Sequence, residues 1–380
     1  MYKEKVVLLN DKIIKQKSKR IIRNNKKNNL KLKVKKCSKF FLMKNIIMIL
    51  ALLITFVISL ILIFKKYTKK NFHTIPIAFS VSDRYAYPLI VLLTSILYNA
   101  SPQTFYIFYL LIAPNINKTF IKKILGLREK YSNYKTEIIN MGNKYSNYFA
   151  MNYKSPAVYY RLELSNIIKK YDKIIYLDAD TMVHKDLTEM FNLDMGNYYY
   201  MGFPDRDLTF RKFKGTRNFI NSGVMLINLK KLREVNAPKL FQDFYNKYGT
   251  KKVDEYLINA VFYDKIKFLP LIYGIPDFGA GGMYTTSPSN FWREFRGLVN
   301  FTKEDMKIAS KNRAITHNCY ERKKWWNRRF SKLTNIGKQW LFYAAKSNVF
   351  DDICEFYNQF ERHCERIKNE TKYNTFPLEF

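Results

Sequence analysis

The chain has 380 residues, a formal net charge of +35, 17% aromatic residues and 4 Cys. No C-x-x-C pair occurs, which excludes a zinc-knuckle protein. Charge of this size raises nucleic acid as a partner, and the placement of the charge decides against it.

Residues 1–44 carry 16 Lys and Arg against Glu4 and Asp11, so +14 of the charge precedes an apolar run. That run, residues 46–64, is 19 uncharged, almost wholly apolar positions between Lys44 and Lys65-Lys66. At about 1.5 Å per residue it suits a hydrocarbon core of about 30 Å. It is too long for a signal-peptide core, and no small-residue cleavage site follows. The more basic flank stays cytoplasmic. The expectation is a single-pass type II anchor with everything beyond about residue 65 in a lumen or outside, away from nucleic acid. The Lys/Asn-rich tail, for example residues 23–29, predicts disorder and suits contact with anionic lipid.

Five regions follow: tail 1–44, membrane helix 45–64, short stem 65–74, main domain 75–330 and an aromatic-rich helical extension 331–380. An oxidising compartment permits a Cys354–Cys364 bridge, although connectivity stays open. Sequons at Asn99, Asn117, Asn300 and Asn369 agree with a lumenal domain.

In the main domain, residues 75–80 read as a first strand, 87–98 as a helix, 105–112 as a strand, 121–131 as a helix and 137–141 as a strand. Ser155-Pro156 supplies a cap and a first-turn proline for a helix to about 170. Strand 173–177 ends in Asp178-Ala179-Asp180. Residues 198–203 and 219–228 read as strands, and about 237–248 and 254–263 as helices, the latter from the spacing of Leu257, Ile258, Val261 and Phe262. A strand at 313–317 is expected to close the sheet, and two helices to fill the last fifty residues. Alternating strands and helices predict an α/β fold with a single mostly parallel sheet and helices on both faces.

Ligands of such sheets gather at the carboxyl ends of strands. Two carboxylates one residue apart at a strand tip offer the hard oxygen donors that Mg²⁺ or Mn²⁺ prefer, and such a cation grips a diphosphate. An isolated Asp-x-Asp is more often a solvated turn, so neighbouring motifs carry the reading.

Those motifs are Asp83-Arg84-Tyr85, Tyr160-Arg161, Asp178-Ala179-Asp180, Asn221-Ser222-Gly223-Val224, Asp254-Glu255 and His317 with Lys323, in that order. Together, from about residue 75 to 326, they resemble the retaining glycosyltransferases of family 8, which take nucleotide-sugar donors on a GT-A fold. The resemblance implies Asp178, Asp180 and His317 as ligands of Mn²⁺ or Mg²⁺. It implies that Ala78, Ser80, Asp83, Tyr85, Arg161, Ala179, Asn221, Ser222 and Lys323, with Asp178 and Asp180, bind a UDP-sugar. Asp254, Glu255 and Asp205 take the catalytic positions. His73, His184 and His363 read as structural or exposed.

The chain departs from the family at several points. Ser82 and Arg84 replace a common Asp and Asn, and Glu255 stands where Gln is usual. Tyr320 and Lys324 replace the Gly and Pro of the closing motif. The implied activity is metal-dependent transfer, with retention, of a hexose such as glucose or galactose, or of xylose, to a glycan, glycoprotein or glycolipid. The setting is Golgi or ER, with a bacterial inner membrane as the alternative. The competing reading is a degenerate lumenal glycan-binding partner of an active transferase.

Overall fold

The computed structural model describes residues 2–67, 73–148, 155–205, 219–249, 254–276, 302–317, 335–356 and 364–365. It has two compact units, Met1–Asn71 and Phe72–Phe380.

The first unit is one helix, α1 (Tyr2–Tyr67). The tail expected to be disordered is therefore helical. No Gly or Pro interrupts residues 1–67, and Leu, Lys, Arg and Ile sustain a helix once it is nucleated. Within it, Ser38–Leu60 is long and apolar enough to cross a membrane, and none of it is buried.

The second unit is built on a seven-stranded sheet of order β3-β2-β1-β4-β7-β6-β8. Its strands are β1 (His73–Val81), β2 (Thr104–Ile112), β3 (Tyr134–Asn140), β4 (Lys173–Leu177), β6 (Tyr200–Pro204), β7 (Ile220–Asn228) and β8 (Ile266–Phe268). The β1–β2, β2–β3, β1–β4 and β6–β8 pairs are parallel. The two pairs made by β7, with β4 and with β6, are antiparallel. The late strand does not close this sheet. It is β10 (Ile315–His317), which lies between β5 (Thr181–Val183) and β9 (Tyr273–Pro276) in a separate three-stranded sheet.

Side chains alternate across the central strands with period two. Ile75, Ile77, Phe79 and Val81 of β1, with Ile175 and Leu177 of β4, enter one core. Ala78, with Ile174 and Tyr176, enters the other. The first core is covered by α2 (Ala86–Tyr98), α10 (Asn335–Lys346) and α11 (Phe350–Phe356). The second is covered by the 3-10 segment Pro156–Glu163, α4 (Leu164–Ile167), α6 (Leu229–Glu234), α7 (Ala237–Tyr248) and α8 (Asp254–Val261). Shorter helices α3 (Lys118–Gly126), α5 (Thr188–Phe191) and α9 (Lys303–Lys311) complete the set.

Three expectations change in detail. The helix foreseen from 155 to 170 is mostly 3-10, with Ser155 Oγ accepting from Ala157 N–H as its cap. The C-terminal extension is not an appendage: Trp340, Leu341 and Tyr343 are buried in the first core, and Cys354 is bonded to Cys364. The Asn99 sequon is used internally. Its Nδ2 donates to Ser95 O, Val183 O and Tyr343 Oη at 2.9, 3.0 and 2.9 Å. Asn300 and Asn369 lie outside the described residues.

Candidate active site

The chain runs outward from β1 through β2 to β3, then returns to place β4 on the other side of β1. That reversal is the switch point at which open α/β sheets bind ligands. A cleft of about 510 Å³ opens there, lined by the loops after β1 and β4, the 3-10 segment, the start of β7, the start of α8 and His317.

β4 is buried along its length and delivers Asp178 to the cleft. The Asp178 N–H donates to Gly223 O at 2.7 Å, and Thr181 returns N–H and Oγ1 bonds to Asp178 O at 3.1 and 2.8 Å. This tight turn leads through Asp180 into β5. The antiparallel β5–β10 register sets His317 opposite Thr181, so Asp180 and His317, 137 positions apart in sequence, become neighbours. His317 Nε2 lies 3.4 Å from Asp180 Oδ1 and 4.0 Å from Asp178 Oδ2. One donor atom from each of the three lies within 4.8 Å of the others.

Gly223 makes the room for this cluster. A Cβ there would stand 2.2 Å from His317 Cε1 and 2.7 Å from both Asp178 Oδ2 and His317 Nε2. Two carboxylates and one imidazole nitrogen, partly to fully buried and crowded at this distance, fit a divalent cation of the Mn²⁺ or Mg²⁺ type.

Arg161 is the hub of the remaining groups. Its Nη1 donates to Ser222 O at 2.5 Å and Oγ at 3.2 Å, and its Nη2 to Asp178 Oδ1 at 2.8 Å. Its Nε lies 3.1 Å from both Val158 O and Asp254 Oδ2. The guanidinium stacks 4.3 Å over the Tyr176 ring, whose hydroxyl donates to Asp178 at 3.1 Å. In a 3-10 turn residues three apart eclipse, so Ser155, Val158 and Arg161 form one row along the cleft wall.

The carboxylate pair at the start of α8 faces β7. Ser222 Oγ donates to Asp254 at 2.9 Å. Glu255 Oε2 accepts from Ser222 N–H and Asn221 Nδ2, each at 3.1 Å. The same Nδ2 reaches Asp205 Oδ2 at 3.2 Å. Burial first, and then the Asp205 carboxylate, push Glu255 well above the usual carboxylate range. Burial also raises Asp254, against the pull of Arg161.

Ser80, Asp83, Tyr85, Arg161, Asp178, Ala179, Asp180, Asn221, Ser222, Asp254, Glu255 and His317 all line the cleft, as do the divergent Ser82 and Arg84. Asp205 joins through Asn221. Ala78 does not line it: period two turns its side chain into the second core, fully buried. Lys323, Tyr320 and Lys324 lie outside the described residues. Sequence reasoning missed Tyr176 and Asn259. The first reads as one more apolar strand residue; the second was detectable as a lone amide on the apolar face of its helix.

Comparison with known proteins fits this geometry. Residues 76–328 match the family described as Glycosyl transferase family 8, and the chain belongs to that family. It is a glycosyltransferase with a GT-A-like fold. A protein of Haemophilus influenzae described as a glycosyltransferase is 28% identical over 301 residues, covering 76% of this chain and 84% of that one. The lipopolysaccharide 1,2-glucosyltransferase of Escherichia coli is 26% identical over 53% of this chain and 62% of its own length. General stress protein A of Bacillus subtilis is matched over 46% of its length. Among solved structures, the galactosyltransferase LgtC aligns with a TM-score of 0.59 at 22% identity, over 72% of this chain and 96% of that one. The bifunctional WbbM aligns at 0.60 and 20% identity, over 74% and 51%.

Proposed function

We propose that the protein is a membrane-tethered, metal-dependent retaining transferase that moves a hexose from a UDP-sugar to a glycan acceptor. The observation that carries this is the Asp178–Asp180–His317 donor set meeting Arg161 at the sheet's switch point. A divalent cation bound by these three residues would supply Lewis-acid stabilisation of a diphosphate leaving group. Arg161 holds Asp178 and Ser222 in fixed relation and presents a buried positive charge to the same region. Asp83 and Tyr85, which line the same cleft, would contact the nucleoside.

Asp254 and Glu255 also line the cleft, where the sugar would lie between clamp and acceptor. Retention needs a covalent glycosyl-enzyme or a front-face route through an oxocarbenium-like state. Glu255 is the carboxylate positioned for either role, ionised above its raised pKa. Its two donors, Asn221 Nδ2 and Ser222 N–H, keep one oxygen engaged and orient the group.

Two of the reported bacterial relatives are, by their names, glycosyltransferases, one of them acting on lipopolysaccharide. They support a bacterial cell-envelope glycan as acceptor over a Golgi setting. The Cys354–Cys364 bond supports a catalytic domain in an oxidising compartment.

The test is release of UDP from a panel of UDP-sugars, with Mn²⁺, with Mg²⁺ and with EDTA. Release from at least one donor that EDTA abolishes and Mn²⁺ restores is expected. Metal-independent release, or neither release nor donor binding, refutes the proposal, and the second outcome would favour a glycan-binding partner protein.

A further inference from the structure

Pro204 sits opposite Ile220 in the β6–β7 ladder, and the register slips between Gly202 and Pro204. The Asp205 N–H to Phe219 O bond makes this a non-hydrogen-bonded pair, so the Ile220 N–H and C=O point away from β6; on that side the ladder with β4 has already ended at Leu177 and Val224. Asn259, fully buried on α8, supplies what is missing. Its Oδ1 accepts from Ile220 N–H at 2.9 Å, and its Nδ2 donates to Ile220 O at 2.9 Å. The same Nδ2 reaches Glu255 O, one helical turn back, at 2.8 Å. One amide side chain thus joins the first residue of β7 to the first turn of α8.

The groups on either side of this joint are those facing the sugar position. Asn221 and Ser222 follow Ile220, while Asp254 and Glu255 open the helix. Their mutual bonds, Asn221 and Ser222 to Glu255 and Ser222 to Asp254, run parallel to the Asn259 link. Hydrogen bonds of 2.9–3.1 Å fail with small slips, because they weaken steeply with distance and angle. Misplacement of about 1 Å costs on the order of 10²-fold in rate.

We propose that Asn259 is a positioning residue for glycosyl transfer: it sets the register between β7 and α8 and so holds Glu255 against Asn221 and Ser222. The proposal rests on the transfer reading of the cleft. It separates two parts of the site. The metal–diphosphate groups Asp178, Asp180, His317 and Arg161 stand on the turn between β4 and β5, on β10 and on the 3-10 segment, none of which Asn259 bonds, so its loss is expected to impair turnover more than donor binding.

The experiment uses the full chain in detergent with Asn259→Ala and the smaller perturbation Asn259→Ser. Two readouts are taken: kcat and KM for UDP release, and backbone hydrogen exchange. For Asn259→Ala a fall in kcat of at least 30-fold is expected, with KM for the UDP-sugar within threefold. Amides of 219–224 are expected to exchange at least tenfold faster while those of β1 keep their protection. Asn259→Ser is expected to lie between. A kcat within twofold of wild type in a folded variant overturns the proposal. So does faster exchange throughout the domain with kcat and donor affinity lost together, which marks a residue of general stability only. If the wild type turns over no UDP-sugar, the transfer reading fails by itself. Exchange at 219–224 then still decides the register claim: unchanged protection overturns it and a local loss supports it.

Discussion

A Cβ at Gly223 would stand 2.2 Å from His317 Cε1 and 2.7 Å from Asp178 Oδ2, so alanine there displaces two proposed metal ligands at once. The backbone itself tolerates alanine, since Gly223 is not among the positive-φ glycines. Gly223→Ala is therefore expected to stay folded by circular dichroism yet lose Mn²⁺ affinity by about 10-fold or more, read by calorimetry.

Two buried groups pull the pH dependence of stability in opposite directions. Glu255 is raised above its ordinary 4.5, so the native state keeps a proton that the unfolded chain releases. Its stabilising effect is full below 4.5 and is lost as pH rises toward the folded value; Asp254 adds in the same sense. His184 is held down from 6.5 to about 3, by burial and then by Arg313. The unfolded chain takes up a proton that native His184 refuses, so stability falls as pH drops below 6.5. Each group contributes a slope of up to about 1.4 kcal/mol per pH unit, and above 4.5 the two act in opposite senses across the window where both are titrating. Glu255→Gln is expected to steepen the loss of melting temperature on acidification across that window, and His184→Gln to reverse it. Parallel profiles for wild type and both variants would contradict the assignment.

At the scale of elements, the proposed metal site is a product of strand register. β5 and β10 meet only because the chain returns after a long excursion, and one residue of slip would turn His317 to the other face. The register is pinned by His184 N–H to Ala314 O at 2.8 Å and by His184 Nε2 with Thr316 Oγ1 at 2.9 Å. Thr316→Val removes the second of these inside a buried site. A loss of about 1–2 kcal/mol in denaturant unfolding is expected, with Mn²⁺ affinity weakened more than UDP affinity. The 3-10 segment has a comparable role for Arg161, which eclipsed spacing places beside Ser155 and Val158. Arg161→Lys cannot reach Ser222, Asp178 and Asp254 together with a single ammonium. It leaves buried Asp254 poorly compensated, and donor affinity is expected to fall about 10- to 100-fold by titration with UDP-sugar.

On the scale of the whole molecule, the helical unit Met1–Asn71 and the unit Phe72–Phe380 each hold together by their own contacts. Among the described residues, the cores of the second unit contain none before Ile75. A fragment starting at residue 72 is therefore expected to be soluble without detergent. Its UDP-sugar turnover should match that of the full chain within about twofold; loss of folding or turnover on truncation would show that the anchor contributes to the site. The same fragment must keep α10 and α11, because Trp340, Leu341 and Tyr343 fill the first core beside α2.

Features that depend on neighbours along the chain were legible in the sequence: the apolar run within α1, the alternation of strands and helices, the buried β4 strand and the carboxylates at its tip. They follow from local periodicity and from the cost of burying unpaired backbone. The resemblance, carried by residues such as Arg161, Asn221 and His317, told which side chains belong together but not how. Tertiary structure decided the rest. It turned Ala78 into the core, moved the late strand from the main sheet to a small one that sets His317 beside Asp180, and lodged Asn259 where the end of β4 leaves Ile220 without a ladder partner. Each of those outcomes depends on register and on contacts between distant segments, which no local pattern encodes.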